Sequence, residues 1–174
     1  AGLGNQPHYN GDAFEGAWLT ELAHKDGQRF SAFDAYLKPA MQRPNLEVVR
    51  EAQVLRVEIA NGRATGVTVR QGAVEKTFSA RGVILAAGAF GSPQVLMLSG
   101  IGPADALKRL GIPVYYDAPE VGANLQDHPM VATIFRTRGT DTFKKAESPL
   151  SLIRYLLFKK GMLASNAVEA MAFT

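Results

Sequence analysis

The amino-acid sequence predicts an α/β chain that combines part of a parallel sheet with an antiparallel meander. Two features carry that prediction. Residues 83–87 (VILAA) form a short, continuously apolar run that leads into a glycine-rich turn and a helix. That is the pattern of a strand buried on both faces of a parallel sheet. Upstream, three strand-like segments are joined by tight turns at Asn61-Gly62 and Gln71-Gly72, and Asn-Gly is a strong short-range hairpin signal.

Along the chain, the first 30 residues read as a loop, then a short strand over 17–23 with a turn at Asp26-Gly27. Ser31 is placed to cap a helix from Ala32 to about Met41, since Phe33, Tyr36, Leu37 and Ala40 fall on one helical face; Pro44 ends it. Strands are predicted over 46–49, 54–60, 65–70 and 74–79. After the apolar run, Ser92 is a good N-cap and Pro93 suits a first helical position, so a helix is expected over 93–98, stopped by Gly100 and Gly102. Pro103 opens a second helix over 104–110, with Lys108 and Arg109 in its last turn and Gly111 beyond. A strand over 112–116 precedes a long loop over 117–129, dense in Gly, Asn, Asp and Pro. The pattern then changes to a strand over 130–137, a polar loop over 136–147 and an apolar, basic-edged helix over 151–160. A domain boundary is expected near Pro129.

Composition excludes several classes. A hydrophobic fraction of 47% with 20% charged residues is that of an ordinary soluble domain. The net charge of +3, with no dense Lys/Arg run, does not point to nucleic acid. The chain has no cysteine, which removes disulfides, thiol catalysis and cysteine-held metals and fits a reducing compartment. No apolar stretch approaches the ~18 residues of a membrane span, and the first residues lack the pattern of a signal peptide. Together these point to a cytoplasmic protein. The chain lacks an initiator Met and stops inside an apolar stretch, so it reads as an internal piece of a longer polypeptide.

Few constellations suggest chemistry. The strand, glycine turn and helix over 83–99 match the joint that nucleotide-binding α/β domains use. From this local pattern alone, a tight turn without ligand is the preferred reading. No G-x-G-x-x-G follows an apolar strand, so the pyrophosphate turn of a dinucleotide fold is not expected here. His8, His24 and His128 lie far apart in sequence and lack metal-site spacing. Asp127 beside His128 could orient an imidazole, but a structural loop histidine is the preferred reading. The basic stretch 136–160 beside Leu152, Ile153, Leu156, Leu157 and Phe158 suits an anionic membrane surface; burial of that apolar face within the domain is favoured.

The run 88–102, GAFGSPQVLMLSGIG, resembles position for position the second sequence signature of the glucose–methanol–choline oxidoreductases. Residues 121–129, 29–37, 43–46 and 161–173 are similar to flanking segments of that family, closest to its choline-dehydrogenase-like branch. His8 and Phe30 depart from the residue types usual at their positions. The resemblance implies a partial FAD-binding dinucleotide fold over 1–129, without its glycine-rich βαβ unit, and the start of an α+β substrate domain over 130–174. It implies a parent enzyme that passes hydride from a primary alcohol to FAD, with a histidine beyond residue 174 as base. It also implies that the backbone of Val54 meets the adenine edge and that Ala86, Ala87 and Gly88 let a ribose approach. No catalytic or metal-binding residue is then expected in this chain, which alone should be inactive. The parent's partners would be FAD, a small alcohol and the rest of the same enzyme, with no nucleic acid. The rival reading is a non-catalytic α/β fragment or interaction module without cofactor.

Overall fold

The computed structural model describes residues 8, 10–11, 15–133, 143–165, 168 and 170–173. Along the chain these form β1 (Gly16–Leu19), β2 (His24–Lys25), β3 (Gln28–Arg29), a π turn (Phe33–Leu37) and α1 (Lys38–Ala40). Then come β4 (Gln53–Ala60), β5 (Arg63–Gln71), β6 (Val74–Ser79), α2 (Gly88–Leu98), β7 (Ile101–Gly102), α3 (Ala104–Arg109) and β8 (Tyr116–Asp117). The last described elements are α4 (Phe143–Ala146), α5 (Pro149–Phe158), a 3-10 turn (Met162–Ala164) and β9 (Ala170–Phe173). They divide into two compact units, one made of residues 1–47 with 133–174, the other of 48–132.

In the first unit β1 pairs antiparallel with β9, setting Trp18 opposite Met171 and Gly16 opposite Phe173. Trp18 is buried and meets the Phe173 ring edge-on, with centroids 5.4 Å apart. β2 and β3 form a hairpin across Asp26 and Gly27, both at positive φ, as the sequence signal requires. Ser31 caps the following helical turn as expected: its backbone N–H donates to Asp34 Oδ2 at 3.0 Å, and Asp34 N–H donates to Ser31 Oγ at 3.4 Å. This reciprocal pair is a capping box with Asp in place of Glu. The helix then widens, and Lys38 N–H reaches back to Phe33 O. Pro39 explains the widening, because it has no N–H and its ring crowds the carbonyl four residues earlier.

The second unit is built on the meander β4-β5-β6, whose antiparallel order and turns match the sequence reading. Asn61 and Gly62 take φ of 49° and 75°, the two positive values that a type I′ turn demands. The β4–β5 ladder is irregular between Val54 and Arg56 and again between Glu58 and Ile59. One row across the sheet is polar. Arg56 Nε pairs with Glu58 at 2.9 Å, Glu58 accepts from the buried Thr68 hydroxyl, and Thr68 meets Thr77 at 2.9 Å. Every group in that row has a partner, so its burial costs little.

Several expectations fail, for related reasons. Residues 46–49 are not a strand, and Val48 and Val49 stay exposed. Residues 83–86 have no ladder partner among the described residues, and Ile84 is 94% exposed. Apolar character selects a pleated surface, but a strand exists only when another strand satisfies its backbone. The strand expected over 112–116 is reduced to Tyr116–Asp117, which pairs parallel with β7. The expected strand over 130–137 is absent over 130–133, and its remainder lies outside the described residues. Within the polar loop expected over 136–147, the described part holds α4. The helix expected from Pro93 begins earlier, at Gly88. Ser92 therefore sits inside α2, where its Oγ accepts the Ala87 N–H at 3.0 Å and still serves the helix start. α5 is capped by Ser148, which accepts from Ser151 N–H, and ends at Lys159 in the left-handed region. No residue of α5 is buried, so its apolar face is not the domain-facing surface that was expected.

Two tests follow from this packing. Leu107, fully buried on α3, should cost about 2–5 kcal/mol when changed to Ala, whereas Leu110→Ala, at a 74% exposed site, should stay within about 0.5 kcal/mol. Urea unfolding followed by circular dichroism measures both. In the capping box, the Ser31 hydroxyl and amide hold the Asp34 carboxyl below its ordinary value. Because that folded-state value is depressed, the cap's contribution is complete above the ordinary carboxylate range and is lost as pH falls through the lower value. An NMR titration of Asp34 should show the downward shift, and Ser31→Ala should reduce it while the part due to the Ser31 amide persists.

Candidate functional site

The four residues singled out from the sequence all fall in the unit 48–132. Val54 lies near the start of β4, the edge strand of the meander, and is 38% exposed. An edge strand leaves some of its backbone groups free to meet another partner. Ala86 and Ala87 end the unpaired run, and Gly88 opens α2; all three are exposed.

A cavity of about 320 Å³ lies between β4 and the run 83–85, and none of Val54, Ala86, Ala87 and Gly88 lines it. β4 contributes Val57 and Ile59 to its wall, and the run ending at Ala86 contributes Val83 and Leu85. Leu96, Ile101, Tyr115 and Tyr116 help to close it. Val54 and the 86–88 backbone are thus each a few residues from a shared apolar wall. The size is at the lower end of the roughly 300–1,000 Å³ range of small-molecule sites.

Gly88 has φ 79°, and a Cβ built there meets nothing within 4 Å. The position is therefore strained for any L side chain by conformation, not by crowding from this chain. The space that a side chain would enter is open. Such a backbone can be approached closely by a ligand, which is how glycine serves at nucleotide turns. These features fit the approach of a nucleoside to main chain, and none of them supplies a charged or titrating group for catalysis.

The histidines stay apart. His8 Nδ1 meets Glu21 at 2.5 Å, His24 is exposed in β2, and His128 is exposed in the irregular segment after β8. Asp127 does not orient the His128 ring; its Oδ1 accepts the His128 backbone N–H at 2.8 Å. Among the described residues no group of three or more His, Asp or Glu could hold a metal. No helix there is long and apolar enough to cross a membrane.

Two functional contacts escaped sequence reasoning. Asp117 Oδ1 accepts the Ala104 N–H at 3.0 Å, a carboxylate at the start of α3 supplied from 13 residues away. Ser99 Oγ accepts the Val57 N–H at 2.8 Å and donates to Val95 O at 2.6 Å. Val57 lies 42 residues from Ser99 and Ala104 lies 13 from Asp117, so no spacing rule reveals those two links.

Known proteins similar to this chain identify its family and fold. The family model described as GMC oxidoreductase matches residues 4–130. An uncharacterised GMC-type oxidoreductase of Mycobacterium tuberculosis is 47% identical over 160 residues, covering 91% of this chain and 30% of that protein. The oxygen-dependent choline dehydrogenase of Sinorhizobium fredii is 43% identical over 99% of this chain and 32% of its own length. Among solved structures, an FAD-dependent oxidoreductase from Chaetomium thermophilum superposes with a TM-score of 0.77 at 28% identity, covering 89% of this chain and 29% of that one. Pyridoxine 4-oxidase from Mesorbium loti gives 0.65 at 32% identity, covering 68% and 24%. The chain thus spans about a third of the length of the curated relatives it matches.

Proposed function

Because this chain belongs to the GMC oxidoreductase family, we propose that it forms the adenosine-binding part of an FAD-dependent enzyme that oxidises a primary alcohol. Bound there, FAD supplies the hydride acceptor. The chain's own residues bind and orient. The backbone of Val54 pairs with the adenine edge as a neighbouring strand would, and Ala86, Ala87 and Gly88 admit the ribose against the main chain. What supports this reading is the apolar cavity between β4 and the run 83–85, a few residues from Val54 and from Ala86, Ala87 and Gly88. In the parent enzyme a histidine outside this chain would take the hydroxyl proton. The relatives named for choline and pyridoxine support an alcohol substrate, and a choline-like or aliphatic primary alcohol is the reading we adopt.

The reaction is tested on the full-length parent, purified with its flavin. Anaerobic addition of choline or a short aliphatic primary alcohol should bleach the oxidised flavin band; a colourless protein, or a flavin that no primary alcohol reduces, rejects the proposal. The site is tested by a pair of substitutions at Gly88. Gly88→Ala should cost about 1–2 kcal/mol of stability through its positive φ and keep much of the flavin. Gly88→Val, which also fills the open space, should yield mostly apo-enzyme. A folded Gly88→Val protein with full flavin occupancy would remove the adenosine assignment. Val54→Ala should change occupancy little, since that contact is main-chain.

A further inference from the structure

We propose that Ser99 is a positioning residue for the adenosine half of the cofactor, an inference that rests on the site assigned above. Its hydroxyl links β4 to the end of α2: it accepts from Val57 N–H at 2.8 Å and donates to Val95 O at 2.6 Å. Both of its partners belong to residues with buried side chains. A hydroxyl that donates and accepts at once fixes both groups in direction as well as distance.

The location of this link gives it consequence. Val57 lies in the short paired stretch between the two irregularities of the β4–β5 ladder, on the edge strand of the meander, so the register of that stretch is bounded by a shift on each side. The Val57 N–H is satisfied by Ser99 instead of by a strand. Val54 lies one irregularity upstream on the same strand, and Gly88 lies at the other end of the helix that Ser99 caps. One hydroxyl therefore sets the strand proposed to meet adenine against the helix that begins at the ribose turn. Without it the two segments remain in place, but the strand is free to shift against the helix, and the adenosine site loses its spacing.

The experiment uses the full-length parent, stripped of flavin and titrated with FAD by fluorescence quenching, with ADP as a competing probe. Ser99→Ala should keep the far-ultraviolet circular dichroism of the native protein and bind FAD about tenfold or more weakly, the scale of one hydrogen bond. ADP should weaken by a similar factor, because the loss falls on the adenosine half. Ser99→Thr, which keeps the hydroxyl, should restore both affinities; general loosening of the fold predicts no such rescue. Where the alanine variant does not fold, Ser99→Cys preserves volume with a weak hydrogen-bonding group and should show the same loss. FAD binding by Ser99→Ala within twofold of the native protein, or weakened FAD with unchanged ADP, overturns the proposal. Gly88→Val assayed alongside separates the two readings: if it keeps its flavin, the adenosine site itself has been misplaced, and if it is apo while Ser99→Ala is holo, only the role of Ser99 falls.

Discussion

The end of α2 holds the unit 48–132 together. Gly100 takes φ 81°, and a Cβ there would stand 2.4 Å from the Pro113 carbonyl oxygen, so the chain closes only with glycine at this point. That close approach lets Gly100 O accept the amides of Tyr115 and Tyr116 at 2.7 and 3.1 Å. The contact seats β8 beside β7, and Gly102 O extends it by accepting Ala118 N–H at 3.0 Å. One residue earlier, Ser99 ties the same helix end to β4. Meander, helix and the short parallel pair therefore meet at two adjacent residues. A side chain at Gly100 would force them apart before any core contact was lost.

That junction also accounts for the shape of the candidate site. With β4 held by Ser99 and the 115–116 segment held by Gly100, the space between them and Val83–Leu85 stays open as an apolar cavity. Tyr115 contributes twice, as a wall of the cavity and through its hydroxyl, which accepts the Gly62 N–H at 2.8 Å. The hairpin tip is thereby anchored to the same segment that the helix end fixes. Binding residues on such a frame need contribute only backbone and small side chains, which matches Val54, Ala86, Ala87 and Gly88.

Much of this was legible in the sequence wherever the cause is local. Positive φ at Asn61, Gly62, Gly100 and Gly111 was announced by residue type, and the capping of the helical turn by Ser31 follows from side-chain chemistry within three residues. The limits appear where a partner is remote. Runs 46–49 and 83–87 have strand composition but no strand beside them among the described residues. α2 begins at Gly88 because Ser92 reaches back to Ala87, which made a good N-cap residue look like the helix start. For the site, the glycine turn was visible, but the cavity was not, since its walls come from β4, the 83–85 run, α2 and the 115–116 segment. Ser99 could have been read only as the last polar residue before a helix-ending glycine.

The pairing of β1 with β9 has a consequence for the order in which the protein is made. The unit that holds this pair is discontinuous, with residues 48–132 running out of it and back. During synthesis the inner unit has its whole sequence available while β1 still waits for its mate. At about 5–20 residues per second the interval is on the order of ten seconds. Through that time the Trp18 face has no β9 to cover it, and closing so long a loop is entropically cheaper once the intervening residues are already compact. Any compaction of residues 48–132 shortens the effective loop. The Trp18 face therefore stays without its strand partner from the synthesis of β1 until Phe173 emerges.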